Sequence, residues 1–126
     1  MQVTGIDHAT IKTPKLEETR AFFEQVLGLA VGPTPDFAMP VIWLYAGGHD
    51  VVHLVEARTE QAPSEVASIN HFALRIADYD QAIAALKKAG VAFDTEATPG
   101  GELKQIYLTD PNGVRIELNC PGPGAG

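Results

Sequence analysis

An internal duplication constrains the fold of this chain more than any other feature of its sequence. The two copies read "IDHATIKTPKLEETRAFFEQVLG" (6–28) and "INHFALRIADYDQAIAALKKAG" (69–90). An offset of 63 residues places His8 on His71. Further along, "YAGGHDVVHL" lies over "LTDPNGVRIEL" with one insertion, which places His53 on Glu117. The repeat occurs only twice and its period is too long for a short-repeat solenoid, so it predicts a duplicated half-domain.

Each half has the pattern of one strand, one helix and three further strands. The first helix is expected to have Thr13 as its N-cap and Pro14 in its first turn and to end at Gly28, and the second to run from an Asp78 cap to Gly90. Alternating, β-branched segments predict the strands. The predicted strands are residues 3–12, 29–34, 41–46 and 50–56 in the first half and 69–76, 91–96, 103–109 and 113–119 in the second.

The predicted fold class is therefore α+β, with the βαβββ order occurring twice. A chain of 126 residues is long enough for one proper core and gives no reason to expect a second domain. We expect a single domain over residues 1–120, with modules of about 3–60 and 66–120. The final residues 121–126, with the tail "PGPGAG", are expected to be disordered.

Composition narrows the function classes. Cys120 is the only cysteine, so no intrachain disulfide can form, and no basic segment precedes an apolar run at the N-terminus. The longest strongly apolar run, "VIWLYA", is too short to span a membrane. A net charge of −7 argues against nucleic acid as a partner. We expect a cytoplasmic protein that acts on a small molecule and has no membrane or nucleic-acid partner.

Strand alternation places four potential metal ligands on the sheet face turned away from the helices. A lone histidine on such a face is usually an ordinary surface residue. Here, however, the same face also carries Val51, Val55 and Ala73, which indicates an enclosed cavity. The potential ligands also occupy two pairs of repeat-equivalent positions, which independent surface residues would not be expected to do. They are His8, His53, His71 and Glu117.

Imidazole nitrogens with one carboxylate oxygen form a set of ligands that is intermediate between hard and soft. Such a set suits Fe, Mn, Co, Ni or Zn better than calcium or an ion that prefers thiolates. We expect a divalent metal ion at His8, His71 and Glu117, with His53 as a fourth ligand or as a base beside the metal. Three or four protein ligands leave coordination positions open, and open positions indicate catalysis.

The duplicated βαβββ order, His8 and three further segments resemble the vicinal oxygen chelate superfamily. These segments are "VVHLVE" (51–56), "INHFAL" (69–74) and "DPNGVRIEL" (110–118), and the resemblance covers about residues 3–120. That superfamily includes glyoxalase I, methylmalonyl-CoA epimerase, extradiol dioxygenases, fosfomycin-inactivating enzymes and bleomycin-sequestering proteins. It implies modules that curl into half-barrel sheets around a metal, a substrate chelated through two neighbouring oxygens, and a homodimer.

Within this superfamily a lyase or isomerase of the glyoxalase type is favoured. The resemblance then implies four ligands, with the carboxylate of Glu117 also moving the proton. His53 stands where those enzymes typically carry Glu or Gln, so only one carboxylate is available. Lys12 and Arg75, on the same face as the ligands, are candidates to bind a substrate carboxylate.

Two alternatives stay open. An extradiol dioxygenase would hold Fe(II) with His8, His71 and Glu117, leave acid–base catalysis to His53 and place Tyr107 near the substrate. Its family signature begins with an upstream histidine that this chain lacks. The second alternative is a non-enzymatic, bleomycin-resistance-like binding protein, although such proteins generally lack the ligand set.

Other aromatic and loop residues are given structural interpretations. Trp43 and Tyr45 are expected to pack within a strand or at a dimer contact, and His49 to be an exposed turn residue. The loop "GPTPDFAMP" (32–40) is expected to shape the mouth of the substrate pocket.

Overall fold

The computed structural model describes residues 1–121 of the chain. Within this range the chain forms two compact units, the first ending at Gln61 and the second beginning at Ala62. Residues 122–126, most of the tail expected to be disordered, lie outside the described residues, whereas Pro121 is the last residue of a strand.

The first unit contains one four-stranded sheet and one helix. Its elements are β1 (Ala9–Thr13), α1 (Leu16–Gln25), β2 (Ala30–Val31), β3 (Val41–Ala46) and β4 (His49–Glu56). The strand order is β1-β4-β3-β2, with β1 parallel to β4 and the other pairs antiparallel. A parallel pair needs a long connection, and α1 with the β2–β3 hairpin supplies it here.

The second unit repeats this topology. Its elements are β5 (His71–Arg75), α2 (Tyr79–Ala89), β6 (Asp94–Ala97), β7 (Leu103–Thr109) and β8 (Arg115–Pro121). The strand order is β5-β8-β7-β6, again with the first and last strands parallel. The α+β class and the duplicated βαβββ order are therefore confirmed.

The alternation predicted for the last strand of each unit is present in the structure. Val52 and Leu54 of β4 are fully buried, as is Ile116 of β8, and Leu118 is 3% exposed. In the first unit the helix contributes the fully buried Phe23. These apolar positions alternate with the residues of the candidate site, so burying one sheet face fixes the side on which the site residues lie.

Helix termini follow the prediction in α2 and differ from it in α1. Asp78 caps α2 by accepting a hydrogen bond from the backbone N–H of Gln81, and Gly90 ends it in the left-handed region at φ 70°. In α1 the expected cap at Thr13 is wrong, because Thr13 is the last, fully buried residue of β1. Its hydroxyl instead accepts a hydrogen bond from the Lys15 N–H, at 2.9 Å.

The strand boundaries required correction at several places. The first strand begins at Ala9 and not at residue 3, because the preceding residues pair with no strand and Ile6 is 96% exposed. The strand expected at 29–34 is only Ala30–Val31. The other predicted boundaries are within three residues of those observed.

Candidate functional site

His53 lies at the centre of a stack of rings in the first unit. It is 9% exposed and sits in the middle of β4, with Thr10 and Trp43 as its cross-strand neighbours. Its ring stacks on Trp43, with centroids 4.2 Å apart and planes at 3°. It also stacks on His8, with centroids 3.7 Å apart. The structure therefore brings together the two ligands predicted from the first module.

Each of these histidines has one ring nitrogen held by a carboxylate. The Nδ1 of His8 donates to Asp7 at 2.8 Å, and the Nε2 of His53 donates to Asp50 at 2.5 Å. The hydrogen bond from His53 holds the pKa of the Asp50 carboxyl below its ordinary value. Among the described residues, Nε2 of His8 and Nδ1 of His53 have no hydrogen-bond partner. These are the nitrogens that a metal could use.

Glu117 is the centre of the corresponding cluster in the second unit. It is 7% exposed and lies on β8 between Ala73 of β5 and Tyr107 of β7. Its Oε1 accepts hydrogen bonds from the Tyr107 hydroxyl and from Gln105, and lies 3.5 Å from Nε2 of His71. The structure therefore also brings together the two ligands predicted from the second module.

His8 and His71 have the same kind of partner at repeat-equivalent positions. The Nδ1 of His71 donates to the side-chain oxygen of Asn70 at 2.8 Å, as Nδ1 of His8 donates to Asp7. In both cases the residue immediately before the histidine fixes the ring through Nδ1. An imidazole whose Nδ1–H is bonded in this way carries its lone pair on Nε2. Metal-binding histidines are commonly oriented by such a bond.

Tyr107 is bound to Glu117 and covered by a guanidinium group. Its hydrogen bond to Glu117, and secondarily its burial, raise the pKa of Tyr107 to about 12. The Arg115 guanidinium lies over the Tyr107 ring, 4.5 Å from its centroid. Arg115 is also the cross-strand neighbour of His71. The second cluster therefore contains a fixed cation that the sequence interpretation did not include.

Lys12 and Arg75, two of the three residues predicted to contact the substrate, are both exposed. Lys12 pairs with Val55 across β1 and β4, and Arg75 pairs with Asn119 across β5 and β8. Tyr107, the third such residue, is bonded to Glu117 as described. Within residues 1–121, no three His, Cys, Asp or Glu side chains form a group arranged to hold a metal ion.

Asp50 is the residue of the first cluster that sequence reasoning missed, and the reason is a bulge. Asp50 and His53 are three positions apart, a spacing that normally sends two side chains to opposite faces of a strand. Tyr45 pairs with Asp50 while Leu44 pairs with Val52, so β4 carries an extra residue. The bulge brings Asp50 to the side of His53, and strict alternation could not have found it.

Trp43 and His49 can also be compared with their expected roles. Trp43 does pack in the sheet, against His53 of the neighbouring strand, which belongs to the candidate site. His49 is exposed as expected, although it is the first residue of β4, and its Nε2 donates to the backbone carbonyl of Asp7. For the partners of His8 and His71 a signal did exist, because Asp7 and Asn70 recur with the repeat.

The family of the chain follows from a match over nearly its whole length. Residues 5–118 match the family model described as the glyoxalase/bleomycin resistance protein/dioxygenase superfamily. The chain belongs to this superfamily. The resemblance seen in the sequence is thereby confirmed, and members of the superfamily bind small-molecule substrates and divalent metals.

Individual relatives of this superfamily member are distant. Mitochondrial methylmalonyl-CoA epimerase of Bos taurus is 24% identical, covering 90% of this chain and 72% of that protein. Glyoxylase I 4 of Arabidopsis thaliana is 22% identical, covering 95% of this chain and 73% of that protein. These identities establish no specific activity.

Solved structures share the fold. A Bacillus anthracis protein assigned to the glyoxalase family has a TM-score of 0.81 and 26% identity, covering 96% of this chain and 98% of that one. A variant of the fosfomycin resistance protein FosX from Listeria monocytogenes has a TM-score of 0.75 and 19% identity, covering 98% of this chain and 97% of that one. That structure is a complex with Mn(II) and dihydroxypropylphosphonic acid.

In the present structure, no helix within residues 1–121 is long and apolar enough to cross a membrane.

Proposed function

We propose that this chain is a metal-dependent lyase or isomerase of the glyoxalase type, acting on a small substrate chelated through two neighbouring oxygens. The observation that carries the proposal is the matched orientation of His8 and His71. In each ring Nδ1 is bonded to the side chain of the preceding residue, Asp7 or Asn70, which leaves Nε2 directed elsewhere. A histidine that serves only packing has no need of such a partner in both repeats.

The proposed ligands are His8, His71 and Glu117, with Nδ1 of His53 as a fourth donor or as a base beside the metal. Three nitrogens and one carboxylate oxygen fit Fe, Ni, Co, Mn or Zn in their divalent state. When bound, such an ion supplies a Lewis acid that stabilises the oxyanion developing on the substrate.

The proton-transfer role is assigned to Glu117. Its Oε1 is engaged by Tyr107 and Gln105, whereas Oε2 has no hydrogen bond to any described residue. Oε2 is therefore the atom proposed to take a proton from the substrate and to return it. Tyr107, with a pKa of about 12, stays protonated at neutral pH and continues to donate to the carboxylate.

Cationic side chains are proposed to bind the charged part of the substrate. Lys12 and Arg75 are exposed, and none of the described ion pairs involves either of them. Arg115, the neighbour of His71, is added to these two; it lies over the Tyr107 ring, and its guanidinium group also pairs with Glu65 at 3.4 Å.

One observation favours an extradiol dioxygenase as the second candidate. The Nε2 of His53 is bonded to Asp50, and a carboxylate held in this way also orients a histidine that exchanges protons through its other ring nitrogen. His8, His71 and Glu117 would then remain as two histidines and one carboxylate, the ligand set of many Fe(II) oxygenases. Oxygen uptake by the Fe(II)-loaded protein with a panel of catechols tests this candidate.

Metal content is the first test of the proposal. We expect purified protein to carry or take up a divalent metal, and His71→Ala to lose most of it, as measured by elemental analysis. His49→Ala is the matched control, because it removes an exposed histidine that is not a proposed ligand and whose ring bonds to the backbone carbonyl of Asp7. Equal metal content in the wild type and in His71→Ala would contradict the proposed metal site.

The single tryptophan gives a second, independent measurement. Trp43 is the only tryptophan of the chain and stacks on His53. Titration with Ni(II) or Co(II) should therefore quench its fluorescence, and His8→Ala should weaken the quenching.

Binding of a drug-like ligand without metal, combined with no turnover of any substrate, would favour the non-enzymatic alternative.

We further propose a cytoplasmic homodimer, as the resemblance and the composition imply. Mixing His8→Ala chains with His71→Ala chains tests whether a site takes its modules from one chain or from two. Recovery of metal binding in the mixture requires ligands from two chains, because then one site of each mixed dimer keeps all its histidines.

A further inference from the structure

The proline-rich segment between β2 and β3 is held firmly to its sheet. This segment, residues 32–40, is called the proline loop below. The Tyr45 hydroxyl donates to the Pro33 carbonyl at 2.5 Å, and the Trp43 N–H donates to the Thr34 hydroxyl at 3.1 Å. Its prolines restrict the backbone further. A segment anchored in this way presents its side chains in a defined arrangement.

The middle of the proline loop exposes apolar side chains beside an open groove. The far end of the loop is anchored by the Glu56 N–H, which donates to the Pro40 carbonyl at 3.1 Å. Between the anchors, Phe37 is 46% exposed and Met39 is 53% exposed. An open groove of about 510 Å³, lined by residues 34–41, lies at this position.

The loop is continuous with the first-module ligand pair through aromatic rings. Phe37 lies 6.3 Å from Trp43 between ring centroids, and Trp43 stacks on His53 at 4.2 Å. His53 in turn stacks on His8 at 3.7 Å. A group lying against Phe37 would therefore be part of the same surface as the two histidines.

The charge of the loop indicates which kind of group it accepts. Asp36 is the only charged residue of the segment 32–40, which contains no lysine or arginine. An anionic substituent would find no partner in this segment and would be repelled by the carboxylate. An apolar substituent would instead remove the exposed faces of Phe37 and Met39 from water.

We propose that the proline loop is the specificity subsite for an apolar, preferably aromatic, substituent of the substrate. Phe37 and Met39 form the contact surface, and Trp43 connects it to His53 and His8. This inference rests on the proposed function, since it places the substituent on a molecule whose two oxygens are chelated. It adds a substrate class, namely small chelating compounds that carry an apolar group.

Two chelators that differ only in that group provide the test. Acetohydroxamate and benzohydroxamate both bind metals through two neighbouring oxygens, but one carries a methyl and the other a phenyl group. We expect Co(II)-loaded wild type to bind benzohydroxamate about tenfold more tightly, the effect of removing about 55 Å² more apolar surface from water. Phe37→Ala with Met39→Ala should bring the ratio of the two dissociation constants close to one, as measured by calorimetry.

Two control variants distinguish a contact with the proline loop from a general effect of removing exposed apolar side chains. Phe37→Leu keeps an apolar side chain and should retain most of the preference for the phenyl compound. Val66→Ala removes an apolar side chain that is 77% exposed in the other unit, and should leave the ratio unchanged. All of these side chains are exposed, so the fold should be retained.

Three outcomes would overturn the inference, and they can be told apart. Both hydroxamates binding with the same ratio in the wild type and the double variant would refute the subsite alone. Neither hydroxamate binding to the metal-loaded protein would contradict the proposed function and the subsite together. A fall from dimer to monomer in the double variant, measured by sedimentation, would show that a second copy of the chain covers the loop instead.

Discussion

Replacing Tyr107 by phenylalanine removes one hydroxyl group and leaves the ring in place. In the structure this hydroxyl donates to Oε1 of Glu117, which is only 7% exposed. Gln105 also donates to Oε1, but at 3.3 Å. The variant therefore leaves a buried carboxylate oxygen with one long hydrogen bond, while the packing of the ring and its contact with Arg115 are kept.

The expected cost is set by the charge of the acceptor. A hydrogen bond to a charged group contributes about 1.5–3 kcal/mol, and we expect a loss of about 2 kcal/mol in the free energy of unfolding at neutral pH. If Glu117 is a metal ligand, Tyr107 also fixes its orientation. Loss of a partner of this kind typically weakens metal binding about 10–100-fold, and a Co(II) affinity lowered by this factor is expected.

The pH dependence has a definite sign. The pKa of Tyr107 is raised to about 12 in the folded chain, against about 10 in an unfolded one. The stabilisation from its protonated hydroxyl is therefore complete below about pH 10 and is lost as the pH rises toward about 12. The stability difference between the wild type and Tyr107→Phe should narrow over this interval.

Urea denaturation across a pH series measures the stability term, and calorimetry with Co(II) measures the affinity term. Tyr79→Phe is the matched control, since its ring contacts Lys104 and makes no described contact with Glu117. The reasoning is refuted if both variants are equally stable and bind Co(II) equally well. The same holds if the ultraviolet difference between the wild type and Tyr107→Phe shows the phenol ionising near its ordinary pKa of about 10.

Three further predictions concern the first unit. Because the hydrogen bond from its histidine partner lowers the pKa of Asp50, the contact stabilises the fold above about pH 4 and is lost in more acidic solution. Urea midpoints of Asp50→Asn and the wild type should therefore differ at neutral pH and converge in acid. Leu54→Ala empties a fully buried position and should cost about 3 kcal/mol by urea denaturation, whereas a cost below about 1 kcal/mol would contradict its place in the core. In Gly32→Ala the new Cβ would lie 2.6 Å from the Tyr45 ring, so a loss of about 1–3 kcal/mol is expected. Gly48→Ala, which meets open space, should cost clearly less.

Much of the fold was predictable because the sequence pattern of one unit occurs twice. The repeat and its alternating apolar residues predicted two βαβββ units, and the structure has the same strand order in both. The cap at Asp78 and the end at Gly90 also followed from local chemistry. Strand ends were harder to predict, since the segment before Ala9 alternates like a strand but pairs with no partner.

The residue types are given by the sequence, and the strand face of a residue could be predicted from local alternation alone. They indicated His53, His71 and Glu117, and the repeat added His8, which lies immediately before β1. The contacts of these side chains depend on cross-strand register, which arises between residues distant in sequence. Only the tertiary structure placed Asp50 on His53 through a bulge, stacked Trp43 on the same ring, and directed the Tyr107 hydroxyl to Glu117. Those hydrogen bonds determine which nitrogen or oxygen atoms remain free, and therefore which atoms can take part in chemistry.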